Sequence, residues 1–375
     1  MVVLIVLLGA ALIYVLERFI YKKYWNRGLD IRVNFEGSSA FEGETGELVE
    51  VLENRNFLPL PFVHAKFRIG SGLVLENREN VSTSDQNYKN DIFSVLFYQK
   101  ITRRLPFRCA SRGYYEITDA DIVSSDLFYN QHMVTSIDQH TVFYVYPGRV
   151  NTARLEQPLK KIIGEMTMRS FLYPDPFEFR GIRGYTLNDP MNTINWKASA
   201  RAGELMVNLY DSTTSRRIVI FLNLEDETVV RHPTLQEESI RIAATLCARL
   251  LQQGYPVTIK ANGVDFTQEF SYEAISANGA AQLQEIYRML SRLDLTRISP
   301  DLTPHITEEL ENPDMRTAAY VLVSSSMKEE IQDAIARISE EATALWVLPL
   351  YRNMDTHIGS VGSTEVVRWE VEGHA

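Results

Sequence analysis

The sequence predicts an α+β multidomain protein, with an N-terminal transmembrane helix, an antiparallel β-sandwich and a doubly wound α/β domain. Three observations predict this order: an apolar run at the start, short alternating segments in the first half, and apolar strands alternating with amphipathic helices in the second half. A chain of 375 residues is long enough for two folded domains. Its hydrophobic content of 45% and charged content of 23% are ordinary for folded material.

The membrane helix is predicted within residues 1–24. Residues 2–16 are almost entirely apolar, and after Glu17 and Arg18 the apolar pattern resumes up to Tyr21. A helix that crosses a bilayer core needs about 20 residues. No basic region precedes the run and no small-residue cleavage site follows it, which favours a retained anchor over a cleaved signal. Basic residues follow the span, so we predict a single-pass protein of the cell membrane with cytoplasmic C-terminal domains.

The β-sandwich is predicted over residues 28–149. Short segments with period-two alternation are separated by Gly, Asn, Pro and Ser, without a helical period between them. The predicted strands are Ile31–Phe35, Leu48–Leu52, Val63–Ile69, Phe93–Ile101, Tyr114–Ile117 and Thr141–Val145. The aromatic residues of these strands are expected in the core, because strand propensity and burial already explain them.

Residues 150–203 are predicted to connect the two domains. Apolar spacings of three and four within Asn151–Arg169 predict a partly helical bridge. Further on, Asp189 can cap a helix at its N-terminus, a proline follows at the first helical position, and Gly203 can close the far end. These signals predict a helix over Pro190–Ala202.

The α/β domain is predicted over residues 204–375. Strands Glu204–Tyr210 and Arg216–Leu224, joined by a polar turn, suggest a hairpin. Apolar runs of strand length then alternate with amphipathic helices, which implies a parallel sheet covered on both faces. The helices are Thr234–Gln253, Ala280–Leu293 and Met327–Glu340, and the strands are Tyr255–Ala261, Ala318–Ser324, Thr343–Leu350 and Glu365–Glu372.

Charge and motif content exclude several function classes. The formal net charge of −10 argues against a nucleic-acid partner, because phosphate binding needs clustered Lys and Arg. Cys109 and Cys247 are far apart and form no metal motif. The sequence has no GxxxxGK[ST], HExxH or GxSxG motif, and its seven histidines lack ligand spacing. We therefore expect no cofactor and no metal.

A block in the middle of the chain carries a family resemblance. Glu178–Arg183 reads EFRGIR, and Asn195–Arg201 reads NWKASAR. Together with upstream segments Arg112–Tyr115 and Ser125–Phe128, this block resembles the signature of bacterial proteins in domain-of-unknown-function family 58. The motif residues are Arg180, Gly181, Arg183, Tyr185, Asp189, Asn195, Trp196, Lys197, Ser199 and Arg201.

The resemblance implies a membrane-anchored protein with an immunoglobulin-like β domain and a domain similar to the von Willebrand factor A fold. It also implies a MoxR-type AAA+ ATPase, or other von Willebrand factor A proteins, as partners, since such genes commonly neighbour the family. No enzymatic activity is established for the family. Members usually have two membrane helices before the β domain, whereas this sequence shows one, so the start is shortened or the topology differs.

A divalent-cation site is one possibility at the end of the first strand of the α/β domain. Cation-binding von Willebrand factor A domains carry Asp-x-Ser-x-Ser there, because a hard cation needs several converging oxygens. This chain has Asn223, Glu225 and Glu227 at these positions, with Ser325 expected nearby. Without the hydroxyl spacing we expect a solvated loop, and an atypical cation-dependent adhesion module stays as an alternative.

The arginine-rich motif has a structural and a catalytic interpretation. In the catalytic one, a hydrolase or anion-handling enzyme uses Asp189 as acid or base and Ser199 as nucleophile, beside the basic motif residues. In the structural one, arginines pair with Glu178, Asp189 and Glu204 in a buried network that locks the helix to the sheet, and Trp196 anchors the packing. A serine without a placed base is a weak nucleophile, so we favour a scaffold or adaptor over an enzyme.

Overall fold

The structure is a computed structural model that describes most of the chain. The described residues are 2–77, 81–83, 86–129, 131–172, 179–186, 189–210, 216–226, 231–267, 271–273 and 279–372. The chain divides into two compact units, Met1–Gly148 and Arg149–Ala375. Each unit has its own sheets and its own hydrophobic core.

Helix α1 (Val2–Tyr24) opens the first unit, as the apolar run predicts. It is long and apolar enough to cross a membrane, and its apolar window is not buried by the protein. Its C-terminal end is held by hydrogen bonds to the β domain. The Tyr21 hydroxyl donates to the Pro59 carbonyl at 2.7 Å, and Asn56 Nδ2 donates to the Tyr24 carbonyl at 2.6 Å.

Ten strands follow in the first unit. They are β1 (Leu29–Glu36), β2 (Ser39–Phe41), β3 (Thr45–Asn54), β4 (Leu60–Gly70), β5 (Leu73–Leu75), β6 (Val81–Thr83), β7 (Gln86–Val95), β8 (Gln99–Cys109), β9 (Gly113–Ser125) and β10 (His132–Tyr146). One sheet has the order β1-β3-β8-β5 and the other β2-β10-β9-β4-β7-β6. All pairs are antiparallel except β2 with β10. The predicted single strand Phe93–Ile101 was wrong, because a turn at residues 96–98 divides it between β7 and β8.

Side chains from both sheets meet in one hydrophobic cluster. At its centre the Phe107 ring of β8 packs edge-on against the Phe143 ring of β10, with centroids 5.3 Å apart. Phe35 of β1 contacts both rings. The aromatic residues of the strands therefore hold the two sheets together, as expected of large apolar side chains in contact.

Tyr115 explains the glycines of the Gly70-Ser71-Gly72 turn. The Tyr115 hydroxyl donates to the Ser111 carbonyl at 2.9 Å, and its ring lies directly against the turn. A Cβ atom at Gly72 would stand 1.9 Å from the Tyr115 hydroxyl oxygen, and one at Gly70 would stand 2.5 Å from its ring. Any larger residue would displace the tyrosine.

The second unit contains six helices and nine strands within the described residues. The helices are α2 (Glu156–Leu172), α3 (Trp196–Ala202), α4 (Pro233–Gln252), α5 (Ala280–Arg292), α6 (Thr303–Leu310) and α7 (Glu329–Glu341). The strands are β11 (Phe179–Gly184), β12 (Met206–Tyr210), β13 (Ile218–Asn223), β14 (Val257–Asp265), β15 (Ser271–Glu273), β16 (Leu293–Asp294), β17 (Ala319–Ser324), β18 (Thr343–Tyr351) and β19 (Glu365–Val371). Short 3₁₀ turns lie at Thr152–Leu155, Met191–Thr193 and Met315–Thr317.

The main sheet of this unit has the order β15-β14-β13-β17-β18-β19, with β16 paired to β14. The five strands from β14 to β19 run parallel, and β15 and β16 pair antiparallel to β14. Val219 and Phe221 of β13 pack in a cluster with α6 and α7. Their neighbours on β13 are buried too, and α4 contacts that strand. Helices therefore cover both faces of the sheet, which is why β13 and β17 are apolar up to their last residues, Asn223 and Ser324.

The predicted hairpin after residue 204 was wrong. β12 pairs antiparallel with β11 in a separate two-stranded sheet, whereas β13 lies at the centre of the main sheet between β14 and β17. The two strands are neighbours in sequence but belong to different sheets. Apart from the helix Pro190–Ala202, the other predicted elements of the unit agree with the structure to within a few residues; α6, β11, β15 and β16 were not predicted.

A charged cluster lies within the core of the first unit. Glu50 faces the interior from β3, between Leu48 and Leu52, and is 0% exposed. On β7, Asp91 accepts from Lys89 Nζ at 3.0 Å and lies 3.1 Å from Arg103 Nη1. Burial, together with the nearby Asp91 carboxylate, raises the pKa of Glu50 to about 8. The sheets thus enclose a carboxyl group that is protonated at neutral pH.

Glu50 makes the stability of the β domain depend on pH. The native state holds this proton up to about pH 8, whereas the unfolded chain releases it near its ordinary pKa of 4.5, so stability falls as pH rises between these values. We expect Glu50→Gln to remove this loss and to be more stable than the natural protein at pH 9. Hydrogen exchange of β3 amides, corrected for intrinsic rates, measures the effect. The exposed-site control Glu76→Gln should keep the natural pH profile, and an unchanged profile in Glu50→Gln would contradict the assignment.

Candidate functional site

The family motif forms a small sheet and helix of its own. β11 and β12 pair in the register Ile182 with Asn208 and Arg183 with Val207, and Ile194 forms an additional bridge to Val207. Ile194 and Val207 are buried, so they form the apolar centre of this small substructure. The segment from residue 179 to residue 210, without the undescribed residues 187 and 188, is called the motif hairpin below.

Arg183 and Asp189 close the loop that follows β11. Arg183 Nη1 and Nη2 donate to the two carboxylate oxygens of Asp189 at 2.7 and 2.6 Å, which is a forked pair. The backbone N–H and the hydroxyl of Thr186 also donate to Asp189. These partners hold the pKa of Asp189 well below its usual range, the Arg183 bonds being the largest cause. A carboxylate held in this way is a poor general base.

Asn195 and Ser199 attach α3 to β12. Asn195 Oδ1 caps the helix by accepting from Ala198 N at 2.9 Å, and its Nδ2 donates to Asn208 at 2.7 Å. The Ser199 hydroxyl donates to the Asn195 carbonyl at 2.8 Å and accepts from Met206 N at 2.8 Å. Both sides of the Ser199 hydroxyl are therefore engaged by the backbone, which gives this side chain a structural role.

The helix start predicted at Pro190 was wrong. A 3₁₀ turn occupies Met191–Thr193, and α3 begins only at Trp196, capped by Asn195. Asp189 does not cap a helix, because Arg183 and Thr186 bind its carboxylate. The end was predicted correctly: Gly203 has a φ of 75° and donates to the Ser199 carbonyl, as a left-handed C-terminal residue does.

The outer face of α3 is exposed and forms no ion pair with another described residue. Trp196 is 66% exposed, so the expectation that it anchors the packing was wrong. Lys197 and Arg201 are exposed one helical turn apart, and neither pairs with a carboxylate among the described residues. The expected buried arginine network is therefore absent from the part of the motif that the structure describes. Its one described arginine pair, Arg183 with Asp189, is partly exposed.

The remaining motif positions lie along β11 and beyond it. Arg180 and Gly181 belong to β11, and Tyr185 follows it with its N–H donating to the Leu205 carbonyl at 2.8 Å. Glu178, proposed as an arginine partner, lies outside the described residues. Glu204 is exposed. Gly181 and Tyr185 thus take part in the pairing of the motif hairpin, whereas Arg180 lies at an irregularity of its register.

The second candidate site lies at the carboxyl ends of β13, β14 and β17. Asn223 Nδ2 donates to Ser324 Oγ at 3.0 Å, and Asn262 Nδ2 donates to Asn223 Oδ1 at 2.7 Å. Leu224 N donates to Asn262 Oδ1 at 2.8 Å. The three polar side chains are almost completely buried, so they form a closed network that links the three strands.

The acidic residues beside this network do not form an oxygen cage. The Lys328 ammonium lies 2.5 Å from Glu225 Oε1, so this carboxylate already has a cation. Ser325 is half-buried next to the network, and Glu227 lies outside the described residues. Within the described ranges, no three His, Cys, Asp or Glu side chains are grouped as metal ligands. Asn223 Oδ1, the atom that could ligate a cation, already accepts from Asn262 Nδ2 at 2.7 Å and from Glu225 N at 3.1 Å.

The structure also reveals a buried ionic network that sequence reasoning missed. The two oxygens of the Glu309 carboxylate on α6 lie 2.7 Å from Arg217 Nη2 and 3.3 Å from Lys260 Nζ. The Tyr320 hydroxyl donates to the same carboxylate at 3.1 Å. Burial and the nearby Glu309 raise the pKa of Tyr320. Lys260, the one basic residue of β14, was the available sequence signal.

The two cysteines are separate and buried. Burial raises the pKa of the Cys109 thiol to about 11 and that of Cys247 to about 12. A thiol with so high a pKa is a weak nucleophile at neutral pH.

The fold and the two candidate sites define a mixed α/β protein with an apolar N-terminal helix and several sheets. The chain belongs to the family described as "Protein of unknown function DUF58", which matches residues 181–374. The matched range includes most of the motif hairpin and the whole main sheet. No match was found among curated proteins.

Solved structures resemble only part of the chain. The CARDB domain of a Pyrococcus furiosus protein, in complex with di-metal ions, is 16% identical and covers 31% of this chain and 90% of that chain, with a TM-score of 0.21. A non-cellulosomal cohesin from Archaeoglobus fulgidus is 13% identical and covers 34% of this chain and 97% of that chain, with a TM-score of 0.22. Likeness at this level carries no functional argument.

We expect Asp189→Asn to loosen the loop of the motif hairpin. The neutral amide cannot accept both charged bonds from Arg183, so the forked pair that closes the loop is lost. Hydrogen exchange at Thr186 N should therefore become about two- to fivefold faster. Asp333→Asn, an exposed substitution on α7, serves as the matched control. Unchanged exchange at Thr186 would show that the pair does not hold the loop.

We expect Asn223→Asp to lower the melting temperature by several degrees. The change removes the donor to Ser324 and introduces a negative charge at a position that is 1% exposed. Thermal unfolding of the detergent-solubilised protein measures this, with the exposed change Asn192→Asp as control. Millimolar Mg²⁺ should leave the melting temperature of the natural protein unchanged. A rise on adding Mg²⁺ or Mn²⁺ would instead support the cation-binding alternative.

Proposed function

We propose that this protein is a membrane-anchored scaffold or adaptor whose folded domains face the cytoplasm. The exposed apolar surface of α1 supports the anchor, since no described part of the protein covers it. Lys22, Lys23 and Arg27 follow the apolar residues, and basic residues favour the cytoplasmic side of a membrane.

The folds that we propose for the two units are those of binding modules. Two sheets around one core, and the Tyr115 hydroxyl bonded to the backbone upstream, support an immunoglobulin-like sandwich for the first unit. A parallel sheet covered by helices on both faces supports a doubly wound domain similar to von Willebrand factor A for the second.

The exposed face of α3 is the single observation that carries the scaffold proposal. Trp196 is a large apolar side chain left in solvent, and Lys197 and Arg201 stand beside it without ionic partners among the described residues. Met191, in the preceding 3₁₀ turn, is 67% exposed. Trp and Arg are the residues enriched at the centres of protein interfaces, where they dominate binding energy. We therefore take this face as the docking surface for a protein partner.

A MoxR-type AAA+ ATPase is the partner that we propose, and another von Willebrand factor A protein is the alternative. The family resemblance supports this choice, and the basic charge of the α3 face favours an acidic surface on the partner. Catalysis has less support, since Asp189 is bound by Arg183 and the Ser199 hydroxyl by backbone groups. A cation-dependent module also has less support, because amides fill the end of the main sheet.

Binding of the full-length protein in lipid nanodiscs to a purified MoxR-type AAA+ ATPase tests the proposal. We expect Trp196→Ala to weaken binding about tenfold or more, as loss of a central interface tryptophan does. Lys197→Glu should weaken it as well, with an effect that grows at low salt. Biolayer interferometry gives both affinities.

Two controls match these variants in exposure and chemistry. Ile298→Ala removes an apolar side chain that is 81% exposed, and Lys160→Glu reverses an exposed charge on α2. Both should bind as the natural protein does. No measurable binding of the natural protein would reject the ATPase as partner, and equal binding by Trp196→Ala would reject the α3 face as the docking surface.

A further inference from the structure

One turn of the β domain is attached to the side of α1, well before the helix ends. The turn follows β9 and comprises the described residues Asp126, Leu127, Phe128 and Tyr129; it is called the β9–β10 turn below. Leu127 N donates to Glu17 Oε1 at 3.0 Å, and the Phe128 ring lies 5.6 Å from the Tyr14 ring. Tyr14 lies ten residues before the end of α1, a distance of about 15 Å along a helix.

This attachment supplies partners to the polar residues that interrupt the apolar run. Glu17 Oε1 accepts from Leu127 N, whereas Glu17 Oε2 is shielded from solvent and has no hydrogen-bond partner among the described residues. The side-chain amide of Gln131 is oriented with its oxygen towards Arg18, and this oxygen accepts from Arg18 Nε at 2.6 Å. Polar groups at membrane depth need partners from the protein, because lipid offers none. The turn meets that need for one oxygen of Glu17, and Gln131, just after the turn, meets it for Arg18.

The outer side of the same turn is apolar and uncovered. Leu127, Phe128 and Tyr129 are 49%, 55% and 52% exposed. The turn is firmly shaped: Tyr129 N donates to the Asp126 carbonyl at 3.1 Å, and Tyr129 has a φ of 59°. The Phe62 ring packs edge-on against Tyr129 at 5.4 Å. Three adjacent large side chains are thus held outward on a rigid support.

A second apolar turn lies at the level where α1 ends. Leu96, Phe97 and Tyr98, between β7 and β8, are 56%, 60% and 72% exposed. Tyr98 N donates to the Asn56 carbonyl, and Asn56 Nδ2 donates to the Tyr24 carbonyl at the end of α1. Both turns therefore stand beside the membrane helix, one at the height of Tyr14 to Arg18 and one at the height of Tyr24.

We propose that these two turns insert their aromatic side chains into the membrane, so that the β domain lies on the lipid surface in a fixed orientation. The inference rests on the proposed anchoring by α1. A helix of 23 residues is about 35 Å long and the hydrocarbon core is about 30 Å thick, so contacts at Tyr14 to Arg18 fall inside the bilayer boundary. Amphipathic aromatic rings are the residues that membrane interfaces favour.

We take lipid as the binding partner of the β9–β10 turn because the exposed apolar surface of the turn is continuous with that of α1. The apolar side chains of α1 and those of the β9–β10 turn meet at the Tyr14 and Phe128 rings, and neither is covered by described parts of the first unit. Lys22, Lys23 and Arg27 lie at the same end of α1 as the second turn, where they suit anionic headgroups.

Depth-dependent fluorescence quenching tests the inference on the full-length protein. Single cysteines at Leu127→Cys, Phe128→Cys and Phe97→Cys carry an environment-sensitive dye, since the natural Cys109 and Cys247 are buried. The protein is reconstituted in phosphatidylcholine and phosphatidylglycerol vesicles that contain lipid-borne quenchers. Leu7→Cys, within the span, is the positive control. Ser38→Cys, exposed beyond the far end of β1 and about 25 Å along that strand, is the negative control.

We expect the dyes at positions 127, 128 and 97 to lose about half or more of their emission, as interfacial residues do, and the dye at position 38 to lose none. Quenching at position 7 without quenching at 127 and 128 would overturn this inference while the anchor stands. No quenching at position 7 would overturn the anchor and the inference together. Self-quenching at position 128 that grows with protein density, without quenching by lipid, would show a second copy on the turn and also overturn it.

Discussion

Within each unit, polar side chains shielded from water form hydrogen bonds to distant parts of the chain, and these bonds fix the arrangement of the elements that supply them. Glu17 Oε1 on α1 accepts from Leu127 N, more than a hundred residues away, and Asn223 Nδ2 donates to Ser324 Oγ. An unpaired buried group costs roughly 1–3 kcal/mol, so each such pairing fixes the relative position of the elements that supply it. Apolar packing decides which faces are buried, whereas these bonds decide the register in which they meet.

Much of the second unit could be predicted from sequence because its signals are local. β13, β17 and β18 are unbroken apolar runs, and a strand buried on both faces needs such a run. Helices α4 and α7 repeat their buried residues at helical spacing. The burial of Glu50 could also be predicted from the sequence. Its side chain points to the same face of β3 as those of Leu48 and Leu52, which are buried.

The motif hairpin could not be predicted because its structure depends on competition between partners. Asp189 has the sequence context of a helix cap, yet Arg183 binds its carboxylate with two charged bonds, which are stronger than a neutral cap. The cap then falls to Asn195, and the helix is only seven residues long. The choice of β11 as partner of β12 is likewise non-local. Hydrophobic periodicity cannot predict the partner strand, because it shows which face of a strand is buried and not which strand lies beside it.

Side chains at the end of the main sheet already bond to one another, whereas those on the outer face of α3 are exposed. This difference favours partner binding at α3 over binding at the end of the main sheet. Open parallel sheets commonly bind ligands at the carboxyl ends of their strands, but here Asn223, Asn262 and Ser324 bond to one another at that position. A ligand entering there would first have to break bonds between buried groups and replace each of them. The exposed face of α3 imposes no such cost, because Trp196 gains by leaving water and Lys197 has no described ionic partner to lose. The free-energy gain available to a partner is therefore greater on the motif hairpin than at the place where this type of sheet commonly binds its ligands.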